Sequence, residues 1–270
     1  MKLAIVLSTH PARFEAAAFK GDLEQNLAHI AALGYHGVEL AIRDPALVDQ
    51  EHLLASLHRF GLELPAIGTG QAWGEEGLSF TDPDPAVRRA AVARLKSHLP
   101  LAARAGAFVI IGLVRGTLAP SVSPGQAADW MVQALQELAA AAAPLGVRFA
   151  IEPLNRYETA LINTTAQALD LLHRVGAPNL GLLLDTFHMN IEELSIEDSI
   201  RLAGDRLLHF HVADSNRRHP GAGHLDFPAI LRALTDLGYA GYLSGEFLPL
   251  PDPAAAANSI AHLRPLLPLL

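Results

Sequence analysis

Apolar runs of strand length alternate with longer helix-like stretches along the chain. Leu182, Leu183 and Leu184 show the type: an unbroken apolar run with the length and flanks of a parallel strand buried on both faces. Strand-like runs cover residues 2–8, 37–43, 63–68, 108–114, 148–153, 180–185, 206–213 and 241–247. Helix-like stretches cover 22–33, 51–60, 85–105, 126–143, 165–175, 196–203, 227–237 and 254–267. Glycines stand where helices are expected to stop, at Gly34, Gly61, Gly106, Gly146, Gly176 and Gly238. Eight strand–helix pairs, with no Ser/Gly/Pro linker and no charge block between them, predict an α/β fold. Its expected form is a single-domain (β/α)8 TIM barrel over residues 1–270. A doubly wound open sheet is the alternative arrangement of the same units.

The sharpest local signal is GLLLDTFHMN, residues 181–190. Its apolar run ends abruptly in Asp185, with His188 three residues on. A carboxylate at the mouth of an apolar strand costs roughly several kcal/mol unless it is paired or bound to a metal. Three more residues of metal-ligand type close comparable strands: Glu152 after FAI, His211 in LLHFHV and Glu246 in YLSGE. Such groups converge only if the sheet closes, which favours the barrel, where strand C-termini build the active site. Three carboxylates and an imidazole make a hard, oxygen-rich donor set for a divalent metal. Mn²⁺ is the favoured ion, with Co²⁺, Mg²⁺ and Zn²⁺ compatible. His209 shares a strand face with His211 and is expected as a hydrogen-bonded layer residue inside the barrel. Asp214, just beyond, is read either as a carboxylate that orients His211 or as a plain loop residue.

Composition narrows the partners. Half of the 270 residues are hydrophobic, ample for a sizeable core. A net charge of −8 argues against nucleic acid or an anionic membrane as the main partner. Cysteine is absent, which excludes disulfides and thiolate metal sites. The N-terminal LAIVL is too short for a signal-peptide core and is interrupted by Ser8, Thr9 and His10. No stretch approaches the roughly 20 apolar residues of a membrane span. These features predict a soluble cytoplasmic protein and leave room for a homo-oligomer.

Polar residues crowd the loops after the candidate ligands. PLNRYET follows Glu152 and carries Arg156 and Glu158; TFHMNIEE follows Asp185; DSNRRHPGAGHLDF carries Arg217 and Arg218. A connecting loop needs only turn residues, so these groups are read as partners for ligand hydroxyls and carboxylates. Arg218 and Glu193 are the ones best read as solvated charge. Earlier loops contribute GTGQAWGEEG and GLVRG, the latter with Arg115. The spacing of Gly68, Gly70 and Gly74 fails as a dinucleotide fingerprint, and no apolar helix follows it. It is read instead as a tight turn that brings Gln71 and Trp73 to the barrel mouth, Trp73 either stacking on a sugar ring or capping the barrel.

IEPLNRYET, LLDTFHMNIEE, HFHVADSNRRHPGAGHLDF and YLSGEFLPLP resemble the sugar isomerase/epimerase barrels related to xylose isomerase. Within these they resemble the ketose 3-epimerases of the D-tagatose 3-epimerase type, over essentially the whole chain. MKLAIVLST, AFKGDL, VELAIRDPALVD, IGTGQAWGEEGLS and VIIGLVRG are closer still to the 5-keto-L-gluconate epimerases of bacterial inositol catabolism. Those enzymes interconvert 5-keto-L-gluconate and D-tagaturonate. The resemblance implies that Glu152, Asp185, His211 and Glu246 bind the divalent metal. It also implies that Glu152 and Glu246 are the two acid/base groups, and that Glu158, His188 and Arg217 contact a small keto-sugar or keto-uronate.

The implied chemistry suits these residues. Inverting a carbon next to a ketone removes a proton from a very weak carbon acid, and a divalent ion stabilises the enediolate that results. Inversion needs two proton-transfer groups on opposite faces. Glu152 and Glu246, with Asp185 and His211 between them in chain order, can flank the metal in that way. Positioned acid/base groups contribute roughly 10²–10⁴-fold. A uronate also needs a counter-charge for its far carboxylate, for which Arg115 and Arg217 are the candidates, with Arg43 and Arg156 behind them. Gln71 completes the substrate-binding set.

Other readings compete. A ketose 3-epimerase on neutral sugars such as D-tagatose, D-fructose or D-psicose, or an aldose–ketose isomerase, would use the same barrel and ion. A DNA-repair barrel of the endonuclease-IV type takes more ligands for three metals and a basic groove, against the acidic balance here. A sugar-binding barrel without turnover would not need two glutamates in the metal shell.

Overall fold

Alternate side chains of a parallel barrel strand face the interior and the surrounding helices, so a strand that is apolar throughout is covered on both sides. The computed structural model describes residues 1–11, 13–250 and 254–267. Pro251, the last residue of the YLSGEFLPLP motif, lies outside them. Among the described residues the strands are β1 (Lys2–Ser8), β2 (Phe19–Lys20), β3 (Gly37–Ala41), β4 (Ala66–Gly68), β5 (Phe108–Ile111), β6 (Phe149–Ile151), β7 (Leu180–Asp185), β8 (Leu207–Val212) and β9 (Tyr242–Gly245). They pair in the order β2-β1-β3-β4-β5-β6-β7-β8-β9, and β1 pairs with β9 as well, Lys2 opposite Tyr242 and Ile5 opposite Gly245. The sheet is therefore closed. Strands β1 and β3 to β9 form the eight-stranded parallel barrel expected from the sequence, and the open-sheet alternative falls. β2, in a stretch read as loop, pairs with Leu7 and Ser8 of β1 where β9 has already ended.

The helices are α1 (Leu23–Leu33), α2 (Gln50–Phe60), α3 (Gln71–Glu76), α4 (Pro85–Ser97), α5 (Leu99–Ala105), α6 (Pro124–Ala142), α7 (Thr165–Val175), α8 (Thr186–Glu192), α9 (Ile196–Ala203), α10 (Phe227–Asp236) and α11 (Ala255–Leu263). Polar caps set their starts: the side chains of Asp22, Asp49, Ser123, Thr164 and Asp226 each accept a backbone N–H of the first turn. The single helix expected over 85–105 is two helices, broken at His98. Pro100 lacks an N–H, and its ring clashes with the carbonyl four residues back, so a helix cannot run through it. Two short helices, α3 and α8, were expected as loops; each follows a strand C-terminus and carries a candidate site residue, Gln71 and His188. The run expected as a strand to residue 114 stops at Ile111 and turns into a 3-10 helix, Leu113–Arg115.

One large apolar cluster joins the outer faces of the strands to the helices, with Val109, Ile111, Phe149, Ile151, Leu182 and Leu184 among its members. The alternate residues Ala66, Ile110, Ala150 and Leu183 form a separate cluster, which places them inside the barrel. Packed apolar side chains thus fill the lower interior, and polar groups begin at the level of His209, which pairs opposite Leu183. Among the described residues no helix is long and apolar enough to cross a membrane.

Candidate active site

Strand ends decide where the candidate ligands go. Glu152 is the first residue after β6 and Glu246 the first after β9; Asp185 ends β7, and His211 is next to last in β8. A register shift between Leu182 and Leu183 in the β7–β8 pairing sets Asp185 directly opposite His211. One donor atom from each of the four residues lies within 4.8 Å of all the others. His211 Nδ1 is 3.5 Å from Glu152 Oε1, 3.8 Å from Asp185 Oδ2 and 3.8 Å from Glu246 Oε2. Ligand atoms about 2.1 Å from a shared ion stand roughly 3.0–3.5 Å apart, so the cluster is close to the size of a coordination shell. Glu152 Oε1, Asp185 Oδ2 and His211 Nδ1 are buried with no hydrogen-bond partner. Buried polar atoms are nearly always satisfied, and three orphaned donor atoms aimed at one point fit a divalent cation. Gly112 keeps space for the cage, since a Cβ there would stand 2.9 Å from Glu152 Oε2.

Electrostatics follow from this crowding. Burial pushes the Glu246 carboxyl up to about 8 and the Asp185 carboxyl up to about 6, with His211 and Arg217 opposing and Glu152 adding to the rise. Burial would lower the His211 imidazole, but Glu39, Glu246 and Glu152 outweigh it and hold the ring well above its usual range. A cation entering the cage takes the place of these protons.

Glu39 was not singled out from the sequence. It sits mid-strand in β3, 2 % exposed, and reaches across the interior to His209 and His211. Burial alone would raise its carboxyl, yet the charge of His211 and the bonds from both imidazoles hold it well below the usual carboxylate range. The available signal was a charged residue inside an otherwise apolar strand, GVELA. His209 is the buried, hydrogen-bonded layer residue that was expected. Asp214 does not orient His211: its carboxylate accepts the backbone N–H groups of Ser215, Gly221 and Leu225 and shapes the loop after β8.

A cavity of about 460 Å³ opens above the cage. Glu158, His188, Arg217, Gln71 and Trp73 all line it, together with Glu75 of α3 and with Arg13 and Phe14 from a loop not assigned to the site beforehand. His188 is 2 % exposed, and burial lowers its imidazole well below the usual value, with Arg217 and His211 adding to the effect. The Asn155 side-chain amide donates to His188 Nδ1 at 2.8 Å, and Asn155 Oδ1 accepts from Tyr157 N, which fixes the amide orientation. The proton of His188 is therefore on Nε2, which has no partner and lies 4.0 Å from Glu152 Oε1 and 3.9 Å from Asp185 Oδ2. Asn155 is thus a second site residue missed in the sequence. Arg217 donates to Glu158 Oε1 at 2.9 Å and Glu246 Oε2 at 3.1 Å, and its guanidinium stacks over the Phe187 ring. Its backbone is left-handed, φ 58°, a conformation held by bonds from Arg217 N to Asp214 O and from Leu248 N to Arg217 O. Gln71 donates to Ser8 Oγ at 2.7 Å, so part of its amide is already committed.

The family model for the xylose isomerase-like TIM barrel matches residues 27–266. The chain belongs to this family. Among its relatives it is similar to an L-ribulose 3-epimerase of Mesorhizobium japonicum, 33% identical over 242 residues, which cover 89% of this chain and 80% of the relative. It is similar as well to a D-psicose 3-epimerase of Ruminiclostridium cellulolyticum, 34% identical over 230 residues, 83% of this chain and 77% of the relative. Among solved structures, a D-psicose 3-epimerase determined in the presence of D-fructose superposes with a TM-score of 0.84 at 26% identity, covering 98% of this chain and 99% of the other.

Within this xylose isomerase-like barrel, Arg115 departs from expectation. It was expected at the mouth as a counter-charge, but it is 1 % exposed and does not line the cavity. Its guanidinium donates to the carbonyls of Leu161, Gly112, Glu152 and Ile162, which takes four of its five N–H groups. Burial lowers it to about 10, with Glu152 and Glu158 opposing, so it stays protonated at neutral pH. Arg156 pairs with Glu192 and Arg43 with Glu76, and neither lines the cavity. The exposed guanidinium at the mouth is that of Arg13, 3.7 Å from Glu75.

Proposed function

We propose that this chain is a divalent-metal-dependent epimerase that inverts the carbon next to the ketone of a keto-sugar. The observation that carries this reading is a cage of orphaned donor atoms at the floor of a cavity, with two glutamates of the cage on separate strands. In a 2-ketose the carbon named by a 3-epimerase is the one beside the ketone, so the relatives' names fit the same chemistry. When bound, the ion supplies Lewis-acid stabilisation of the negative charge that develops on the substrate oxygens. Glu152 and Glu246 are the proton-transfer pair: one takes the proton from one face of the substrate carbon, and the other returns a proton to the opposite face. Their settings differ, as a two-base scheme needs. Glu246 Oε2 is hydrogen-bonded by Arg217, whereas Glu152 Oε1 has no partner. His188 offers Nε2–H to a substrate oxygen, and Glu158 and Arg217 bind hydroxyls beyond it.

The motif resemblance favours the acid pair 5-keto-L-gluconate and D-tagaturonate, with Mn²⁺ in the cage, and Arg13 then joins Arg217 in the counter-charge role expected of Arg115 and Arg217. A neutral ketose is the second reading. It is favoured by the pairing of Arg217 with two carboxylates, which leaves it little net charge for a third.

The test is turnover of keto-uronates and neutral ketoses with Mn²⁺ in D₂O, read by product stereochemistry and label position. Solvent deuterium is expected at the inverted carbon, and Glu152→Gln and Glu246→Gln should each abolish epimerisation once metal content has been matched. Epimer formed without deuterium there overturns the two-base scheme. A higher kcat/KM for neutral ketoses replaces the acid substrate with the second reading.

A further inference from the structure

An imidazole binds a cation through the lone pair of one ring nitrogen, and its other nitrogen must then carry the proton. His211 turns Nδ1 toward Glu152, Asp185 and Glu246, and that atom has no hydrogen-bond partner. Its Nε2 faces the Glu39 carboxylate, 2.9 Å from Oε2 and 3.1 Å from Oε1. His209 Nε2 lies 2.8 Å from the same Oε2. An ionised carboxylate only accepts hydrogen bonds, so both Nε2 atoms are the donors, and Nδ1 is the His211 nitrogen turned to the cage, where its lone pair would serve a cation that displaces its proton. The contacts of both Nε2 atoms with Oε2, 2.8 and 2.9 Å, have the length of charge-assisted N–H···O hydrogen bonds. The nearer carboxylate in sequence, Asp214, is committed to loop backbone and cannot serve.

We propose that Glu39 is the positioning residue of the cation cage: its carboxylate braces His209 and His211 together and sets His211 as an Nδ1 donor to the ion. This rests on the cage read as a divalent-metal site. Glu39 joins β3 to β8, which are not neighbours in the barrel, so the alignment of His211 is held by a strand that contributes no ligand of its own.

The experiment measures Mn²⁺ affinity directly by calorimetry in wild type and Glu39→Gln, independently of turnover. With the amide oxygen in the place of Oε2 both imidazoles keep that acceptor, but the negative charge is lost and the NH₂ group stands in the place of Oε1, donor against donor with His211 Nε2. The dissociation constant is expected to weaken about 10- to 100-fold, with secondary structure unchanged. A ¹⁵N spectrum of the Zn²⁺-loaded wild type should show His211 protonated on Nε2 and ligated through Nδ1, a readout that stands even if the variant does not fold. Wild-type affinity in folded Glu39→Gln, or His211 ligated through Nε2, overturns the proposal and leaves the metal-site reading in place. Failure of wild type to bind any divalent ion overturns both.

Discussion

Arg115 gives its guanidinium N–H groups to four backbone carbonyls and so ties the loop after β6, which carries Asn155 and Glu158, to the turn after β5. Replacing it leaves the buried carbonyls of Leu161 and Glu152 without a donor, while those of Gly112 and Ile162 keep a backbone N–H. Arg115→Met is expected to destabilise the protein by about 3–5 kcal/mol in urea unfolding. In the fraction that stays folded, the preference between keto-uronate and neutral ketose should not change. A loss under about 1 kcal/mol together with an altered preference would return Arg115 to the substrate cavity. At this scale the four cage residues were readable from sequence, because each is a ligand-type group that closes an apolar strand. Glu39 was not, because the groups that give it meaning are 170 and 172 residues away.

Between α4 and α5 the chain breaks where proline forbids a continuous helix, and the break buries His98 completely, both ring nitrogens without a partner. Burial lowers the imidazole to about 3, with Arg94 adding and Asp44 opposing. Above pH 6.5 the ring is neutral in both the folded and the unfolded chain, so it adds no pH dependence there. Between 6.5 and about 3 the unfolded chain takes up a proton that the folded one refuses. Stability therefore falls as pH falls through that window, by at most about 1.4 kcal/mol per pH unit from this group. Urea midpoints between pH 7 and 4.5 should show a shallower slope for His98→Leu than for wild type. Parallel slopes would mean that His98 is protonated in the fold. The proline was visible in the sequence; that the break would lie against the core was not, since only packing decides which side of a helix junction is covered.

The apolar clusters that join strands to helices do not include the cage, so the barrel should not need an ion to fold. Chelation is expected to abolish turnover while leaving the circular dichroism spectrum intact. Added Mn²⁺ should raise stability by about 2.7 kcal/mol at a hundred times its dissociation constant. Asp185→Asn should weaken metal binding about 10-fold or more without unfolding the barrel. Loss of secondary structure on chelation would show that the ion is part of the core. For the molecule as a whole, the sequence by itself determined the eight strand–helix units and the four strand-end residues of the cage. Those are properties of a few consecutive residues: apolar periodicity, caps, and a ligand-type side chain at a strand end. Only the tertiary structure decided which charges answer one another. It turned Arg115 inward and left Arg13 at the mouth, gave Asp214 to a loop, and set Glu39 behind His211. A charge is stabilised by whatever closure of the sheet brings within about 3 Å of it, and that neighbourhood is assembled from strands far apart in the chain.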